Sequence, residues 1–274
     1  MSNGAISDRM MPCETEEPEG RTEMKLFLDG VPFRKGNFHC HTTESDGRLT
    51  PAECIRFYRD AGYEILSVTD HRRVTEAADD RLLLIPGIEI DYILPGQWVH
   101  VLGLGMEKTV AEKWNSGGTV QEGIDLIRSL GGIAVLAHPA WSLNTPAFMR
   151  SLTGLGGVEI WNSVSTLPLN GERAESSSLL DVTWASGGEL LPVFANDDSH
   201  PYRDEAGVAA TMVQAEALTA EAVMGALRAG RFYATTGPEI RQIENRDNRE
   251  IVVQCSPAEC VVFYSDCPGQ TAGP

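Results

Sequence analysis

From residue 36 onward the chain alternates short apolar runs with stretches whose apolar residues recur at helical spacing. The runs are FHCH (38–41), EILSVTDH (64–71), LLLIPGIEID (82–91), WVHVLGLG (98–105), GIAVLAHP (132–139), GGVEIWN (156–162) and LLPVFANDD (190–198). Their length and apolar content read as buried strands. Between the first two, Thr50-Pro51 predicts a helix start: threonine caps well, and proline suits the first helical position. Cys54, Ile55, Phe57 and Tyr58 then supply an apolar face, and Gly62 a stop. Further helices are predicted over about 119–130, 172–186 and 219–229. Strands alternating with helices are the pattern of a β/α fold. One joint departs from it. Residues 92–97 (YILPGQ) are too few for a parallel crossover, so Pro95-Gly96 predicts a hairpin and an antiparallel pair.

The ends of the chain read differently. Residues 1–24 are polar, carry Glu14, Glu16, Glu17 and Glu19, and show no apolar period, which predicts a loose leader. Residues 25–33 (KLFLDGVPF) predict a strand and turn leading into a main domain that runs to residue 230. From 231 the pattern turns strand-like again, with IVVQC (251–255) and CVVFYSD (260–266), predicting a small β-rich appendage over 231–274.

Composition narrows the classes. The 274 residues, 42% of them hydrophobic, suffice for one large domain plus an appendage. No apolar run approaches the ~18 residues of a membrane span. The first residues lack the basic and apolar regions of a signal peptide, so a cytoplasmic location is expected. The six cysteines form no C-x-x-C pair, and the C-x4-C-x6-C spacing of Cys255, Cys260 and Cys267 lacks a fourth zinc ligand. Reduced thiols are expected. A net charge of −17 disfavours duplex nucleic acid as a partner, which needs clustered Lys and Arg. It does not exclude a small anion, because bound cations can dominate a local field.

The chemistry sits at the ends of the runs. The first ends in His39 and His41, the second in Asp70 and His71, and the third in Glu89. The fourth carries His100, the fifth ends in His138, the sixth holds Glu159 and Asn162, and the seventh ends in Asp197 and Asp198 with His200 just beyond. All six histidines of the chain are used in this way. His39 and His41 lie two apart, so on a strand both point to one side and Cys40 points into the core. Imidazole and carboxylate together suit borderline divalent ions such as zinc, manganese or iron. Singly, His100 or His138 reads more readily as a core histidine than as a ligand, and Asp46 as an ordinary turn residue. The joint pattern favours a metal site. Asp70, next to His71, reads as a partner of a ligand, a proton carrier or a turn residue. Arg72, Arg73 and Arg203 directly follow ligand-type positions. A guanidinium binds phosphate bidentately, and the competing reading is a surface ion pair. Trp141 and Trp161 read either as a stacking wall or as core.

GNFHCHTTESDG (36–47), SVTDH (67–71), PGIEI (86–90), HVLGLG (100–105), AHPAW (137–141), GVEIWN (157–162) and NDDSH (196–200) resemble, in order, the motifs of the PHP superfamily, named for polymerase and histidinol phosphatase; RFYATTGPEI (231–240) is a weaker match. The opening resembles the stand-alone metallohydrolases of that superfamily. The resemblance implies a distorted seven-stranded β/α (TIM-like) barrel and a trinuclear site. His39, His41, Glu89 and Asp198 would hold one ion, Glu89, His100 and His138 a second with Glu89 bridging, and Asp46, His71 and His200 a third.

Two to three divalent ions, of zinc, manganese or iron, make hydroxide available near neutral pH and neutralise phosphoryl oxygens. The expected activity is therefore that of a phosphoesterase on small anionic phosphate monoesters, nucleotides among them, with Asp70 as a catalytic candidate and Arg72 and Arg203 as substrate contacts. Hydrolysis of a carboxylic or carbamate ester or an amide on the same site, and a non-catalytic metal-binding module, remain open beside it.

Overall fold

The computed structural model describes residues 23–247 and 250–263. The chain runs through β1 (Glu23–Lys25), β2 (Phe33–Asn37), α1 (Pro51–Asp60), β3 (Ile65–Leu66), β4 (Leu83–Leu84), β5 (Gly87–Leu94), β6 (Gln97–Leu104), α2 (Val110–Lys113), α3 (Val120–Ser129) and β7 (Ile133–Leu136). It continues with α4 (Pro146–Ser151), β8 (Gly157–Asn162), α5 (Ser177–Ala185), β9 (Val193–Asn196), β10 (Ala210–Gln214), α6 (Ala220–Arg228), β11 (Phe232–Thr235), β12 (Ile240–Arg246) and β13 (Glu250–Cys255). The predicted leader lies outside the described residues up to residue 22.

Local signals in the sequence account for several boundaries. Thr50 and Thr119 cap α1 and α3 through reciprocal capping boxes with Glu53 and Glu122. Thr219 caps α6. The predicted hairpin forms: β5 and β6 pair antiparallel from Gly87–Leu104 to Leu94–Gln97. Gly96 takes φ of +79°, the left-handed value a type II turn requires after its proline. The helix expected from 172 begins only at Ser177. Residues 174–176 instead run along β8, where Asn162 N donates to Ala174 O and Ser176 N to Ile160 O.

The expected seven-stranded barrel does not close. The strands of the main body fall into two five-stranded mixed sheets, ordered β11-β10-β2-β3-β4 and β5-β6-β7-β8-β9. Where the sheets meet, the ladder gives way to isolated bridges, Cys40 with Ser199 and His71 with Glu89. Side-chain amides stand in for backbone there: Phe38 N donates to Asn196 Oδ1 (2.8 Å) and Asp197 N to Asn37 Oδ1 (2.9 Å). The reason is conformational. Asp198 and Arg72 sit at φ of +53° and +60°, outside the extended region a ladder needs. The sheets nevertheless share a core, in which Phe38 meets Phe194 edge-on at 6.0 Å beside Leu102, Leu104 and Val213. α3 covers the outer face of the second sheet with Ile124 and Ile127, and α1 covers the first with Cys54, Ile55 and Tyr58.

A third sheet, ordered β1-β12-β13, is antiparallel throughout. It joins Glu23–Lys25 to the C-terminal strands. β13 matches the predicted strand at 251–255. The run predicted at 260–266 forms no strand over 260–263, and its remainder lies outside the described residues.

Candidate metal centre

At the seam between the two large sheets, residues from β5, β6 and the segments following β2, β3, β7 and β9 converge. Glu89 of β5 lies at the middle. Its Oε1 faces His39 Nε2 (3.3 Å), His100 Nδ1 (2.8 Å) and His138 Nε2 (3.3 Å). Its Oε2 faces His41 Nε2 (3.1 Å) and His71 Nδ1 (3.2 Å). One buried carboxylate thus stands between five imidazoles. Asp198 Oδ1 lies 3.1 Å from His39 Nε2 and 3.0 Å from His41 Nε2. Asp46, on the loop after His41, lies 3.3 Å from His200 Nε2 and 3.7 Å from His71 Nε2. Gly47 lets that loop close on the strand, since a Cβ there would strike the carbonyl of His41.

These side chains fall into three groups. In each, one ligand atom per residue lies within 4.8 Å of the others: His39, His41, Glu89 and Asp198; Glu89, His100 and His138; and His41, Asp46, His71 and His200. All nine residues expected from the sequence as metal ligands are therefore together, and Glu89 and His41 each belong to two groups.

The residues fit cations better than they fit one another. Among the described residues, twelve buried side-chain nitrogen or oxygen atoms lack a hydrogen-bond partner, and six belong here: His39 Nε2, His41 Nε2, His71 Nδ1, Glu89 Oε2, His100 Nε2 and Asp198 Oδ1. Several lie only 3.0–3.3 Å from an opposite group, yet their directions miss hydrogen-bond alignment. Leaving a buried polar atom unpaired costs about 1–3 kcal/mol, so such a cluster needs a reason. Lone pairs aimed at shared points between residues are that reason.

The atoms that do not face the centre are held from behind. His39 Nδ1 pairs with Glu159 Oε1 (2.9 Å), leaving Nε2 to face inward. Glu159 also accepts from His138 N (2.9 Å), Asn162 Nδ2 (3.0 Å) and Asn196 Nδ2 (2.8 Å). Asn162 reaches Asp198 Oδ2 as well (3.1 Å). His138 Nδ1 pairs with Ser142 Oγ, and His200 Nδ1 with the carbonyl of Asp198. Backbone strain gathers at the same place, with His138 at φ of +28° and Asp198 at +53°.

Electrostatics agree with the geometry. Burial opposes charge on His41, but the adjacent Asp198 and Glu89 carboxylates outweigh it and lift its pKa to about 10. His39 is raised well above the ordinary imidazole value, against burial, by Asp198, Glu159 and Glu89. Glu89 and Asp198 move the other way, pulled far down by the histidines in spite of burial. Asp197, next in sequence, contrasts with them. Burial raises it, and its oxygens accept from the backbone N–H groups of Gly207, Val208 and Ala209.

The remaining expected residues divide. Asp70 does not line the cleft. It accepts from Thr42 N and Oγ1 (2.7 Å each), Ser45 Oγ (2.6 Å) and Thr75 Oγ1, which anchors the loop that carries Asp46. Arg72 lines the cleft with its guanidinium forked onto Asp91, 2.7 Å to each oxygen. Arg203 does not line it; Arg48 does, without a strong sequence signal beyond following the Asp46-Gly47 turn. Trp141 lines it beside Trp98, and Trp161 does not. The cleft above the cluster has a volume of about 770 Å³.

No family model matches the chain. Among curated proteins, a 5'-3' exoribonuclease of Haemophilus influenzae is 32% identical over 83 residues, which cover 28% of this chain and 30% of that enzyme. The matched stretch thus spans less than a third of that relative's length. Among solved structures, a two-domain protein of Bacteroides vulgatus containing a predicted PHP-like metal-dependent phosphoesterase superposes with a TM-score of 0.55 at 17% identity, covering 84% of this chain and 80% of that one. A lesion-specific endonuclease of Pyrococcus furiosus superposes with a TM-score of 0.50 at 12% identity, over 74% of this chain and 57% of that one. The chain thus shares its fold with these two solved structures, and the order of its motifs resembles that of the PHP superfamily.

Proposed function

We propose that this protein is a metal-dependent hydrolase that cleaves small phosphate monoesters, nucleotides among them. The observation that carries the reading is the set of five unpartnered buried ligand atoms, on His39, His41, His71, Glu89 and Asp198, converging around Glu89. The donors, imidazole and carboxylate, suit zinc, manganese or iron. His39, His41, Glu89 and Asp198 would hold one ion, Glu89, His100 and His138 another, and Asp46, His71 and His200, with His41 alongside, a third. When bound, such ions supply Lewis acidity at phosphoryl oxygens and make hydroxide available near neutral pH.

The chain's own residues do the rest. Glu159 and Asn162 orient His39 and Asp198. Asp70 acts through the loop it anchors, as a positioning residue for Asp46. Arg48 at the cleft wall offers a guanidinium to the phosphate, and Arg72 offers a second at the cost of its fork on Asp91. The names of the exoribonuclease relative and the endonuclease neighbour support phosphate-ester chemistry as the class, and short oligonucleotides belong beside monoesters in the assay.

The test is a panel of chromogenic phosphate monoesters, carboxylic esters and short oligonucleotides, assayed with manganese, zinc and iron. Turnover of phosphate monoesters is expected. A fully metallated protein that cleaves carboxylic esters and no phosphate ester would overturn the reading.

A further inference from the structure

The cleft does not end at the metal cluster. Beside it lies a second hollow of about 700 Å³, and the two share Trp98, Trp141, Leu169 and Asn170 as their common wall. The path between them is aromatic. Trp141 stands edge-on to His138 at 4.9 Å and meets Trp98 at 6.3 Å and 67°. Beyond Trp98 the wall is apolar and unusually open: Ile93 is 72% exposed, Leu143 52%, Leu169 84% and Trp98 itself 50%. A contiguous exposed apolar surface joined to a candidate active site calls for an occupant.

The wall is also held in place. Trp98 N donates to Ser142 O, Asn144 Nδ2 donates to Trp98 O (2.7 Å), and Asn170 Nδ2 pins the turn bearing Leu169 to Val164 O (2.9 Å). Its charge is distinctive. In a chain of net charge −17, the second hollow has no carboxylate in its lining and one cation, Arg173. That lining disfavours a cationic group and accepts a neutral or anionic one.

We propose that this groove is the leaving-group subsite, and that it selects phosphate esters of flat aromatic ring systems. The inference rests on the phosphoesterase reading and sharpens its substrate class. With the phosphoryl group over the cluster, the ester's ring would lie against Trp98 and under Leu169. Offset or edge-on aromatic contact of this kind changes affinity by about tenfold.

The test compares two non-hydrolysable anions, 1-naphthylmethylphosphonate and methylphosphonate, bound to the full chain loaded with manganese and measured by calorimetry. The naphthyl compound should bind about tenfold or more tightly than the methyl compound. That ratio should fall toward one in Trp98→Ala and by about threefold in Leu169→Ala. Leu169 is so exposed that its truncation cannot unfold the chain, which keeps the test decisive if Trp98→Ala folds poorly. A ratio near one in the unaltered protein overturns the subsite and leaves the phosphoesterase reading standing. So does a high ratio that neither substitution lowers, because the ring then binds elsewhere. If neither phosphonate binds, both readings fall.

Discussion

Gln242 in β12 and Glu89 in β5 are both polar side chains buried on strands, yet their surroundings are opposite. Gln242 Oε1 accepts from Phe27 N and Ile243 N, and its Nε2 donates to Phe27 O and Asp29 Oδ1. Gln214, where the first sheet faces residues 28–31, is likewise filled by Leu28 N, Leu28 O and Val31 O. These amides act as staples that tie incoming chain to a sheet. Around Glu89, by contrast, five atoms of five side chains, His39, His41, His71, Glu89 and Asp198, stay unpaired while facing one another at close range. Burial of polar groups is thus no mark of function. Buried polar atoms that converge without pairing are such a mark, because only an added partner relieves their cost.

The largest effect should come from removing the centre of that cluster. Glu89→Gln should lower turnover of the best phosphate monoester by about 10³-fold or more and reduce bound metal by at least one ion per chain. Elemental analysis and steady-state kinetics read both, and retained activity would remove Glu89 from its bridging place. Next comes the support behind the cluster. Glu159→Ala should weaken metal binding by about 10- to 100-fold, as followed by competition with a chromogenic chelator. Unaltered affinity would reduce Glu159 to packing.

Metal removal sharpens the comparison from the other side. At ion concentrations near 100 times the dissociation constant, each site adds about 2.7 kcal/mol of stability. Stripping the ions should therefore lower the melting temperature by several degrees per ion, with no such response to chelator in a protein already lacking the Glu89 carboxylate's ions. Gln242→Ala should cost about 1–3 kcal/mol in urea unfolding through its abandoned backbone partners, while metal content stays the same. A loss of metal in that variant would break the contrast between the two regions.

The smallest effect is a pH dependence of the metal-free protein. His41 is lifted to about 10 in the fold, so its contribution to stability is fully present below the ordinary imidazole value of 6.5 and is lost as the pH rises toward 10. Glu89 and Asp198 are depressed, so theirs is present above the ordinary carboxylate range and lost as the pH falls well below it. Metal-free protein should unfold more easily at pH 9 than at pH 6, and metal-loaded protein, with ions where the protons sat, should not share that trend. Parallel pH profiles for the two forms would count against this linkage.

Much of the site was legible because its signals are local. His39 and His41 share a side through the two-residue period of a strand, and Thr50, Thr119 and the Pro95-Gly96 turn announce their elements within a few residues. Other features needed distance. Asp46 reads as a turn residue until His71 and His200 are seen around it. Arg72 and Arg203 carry the same sequence signal, yet one lines the cleft and the other does not. Asp70 looks like a proton carrier beside His71, but four donors hold it behind the Asp46 loop. β12 is masked by its polar residues, and its pairing with β1 joins segments more than 200 residues apart.

The sequence by itself determined the kind of chemistry available: six histidines with carboxylates at the ends of apolar runs, in an order that resembles one superfamily. Residue type and short-range periodicity suffice for that. The tertiary structure alone decided that the sheets meet at a seam in place of a closed barrel, and that Glu89 serves several histidines at once. It also set the exposed Trp98 and Leu169 wall beside the cluster. Each depends on where strands distant in the chain come to lie, and no spacing along the chain encodes that directly.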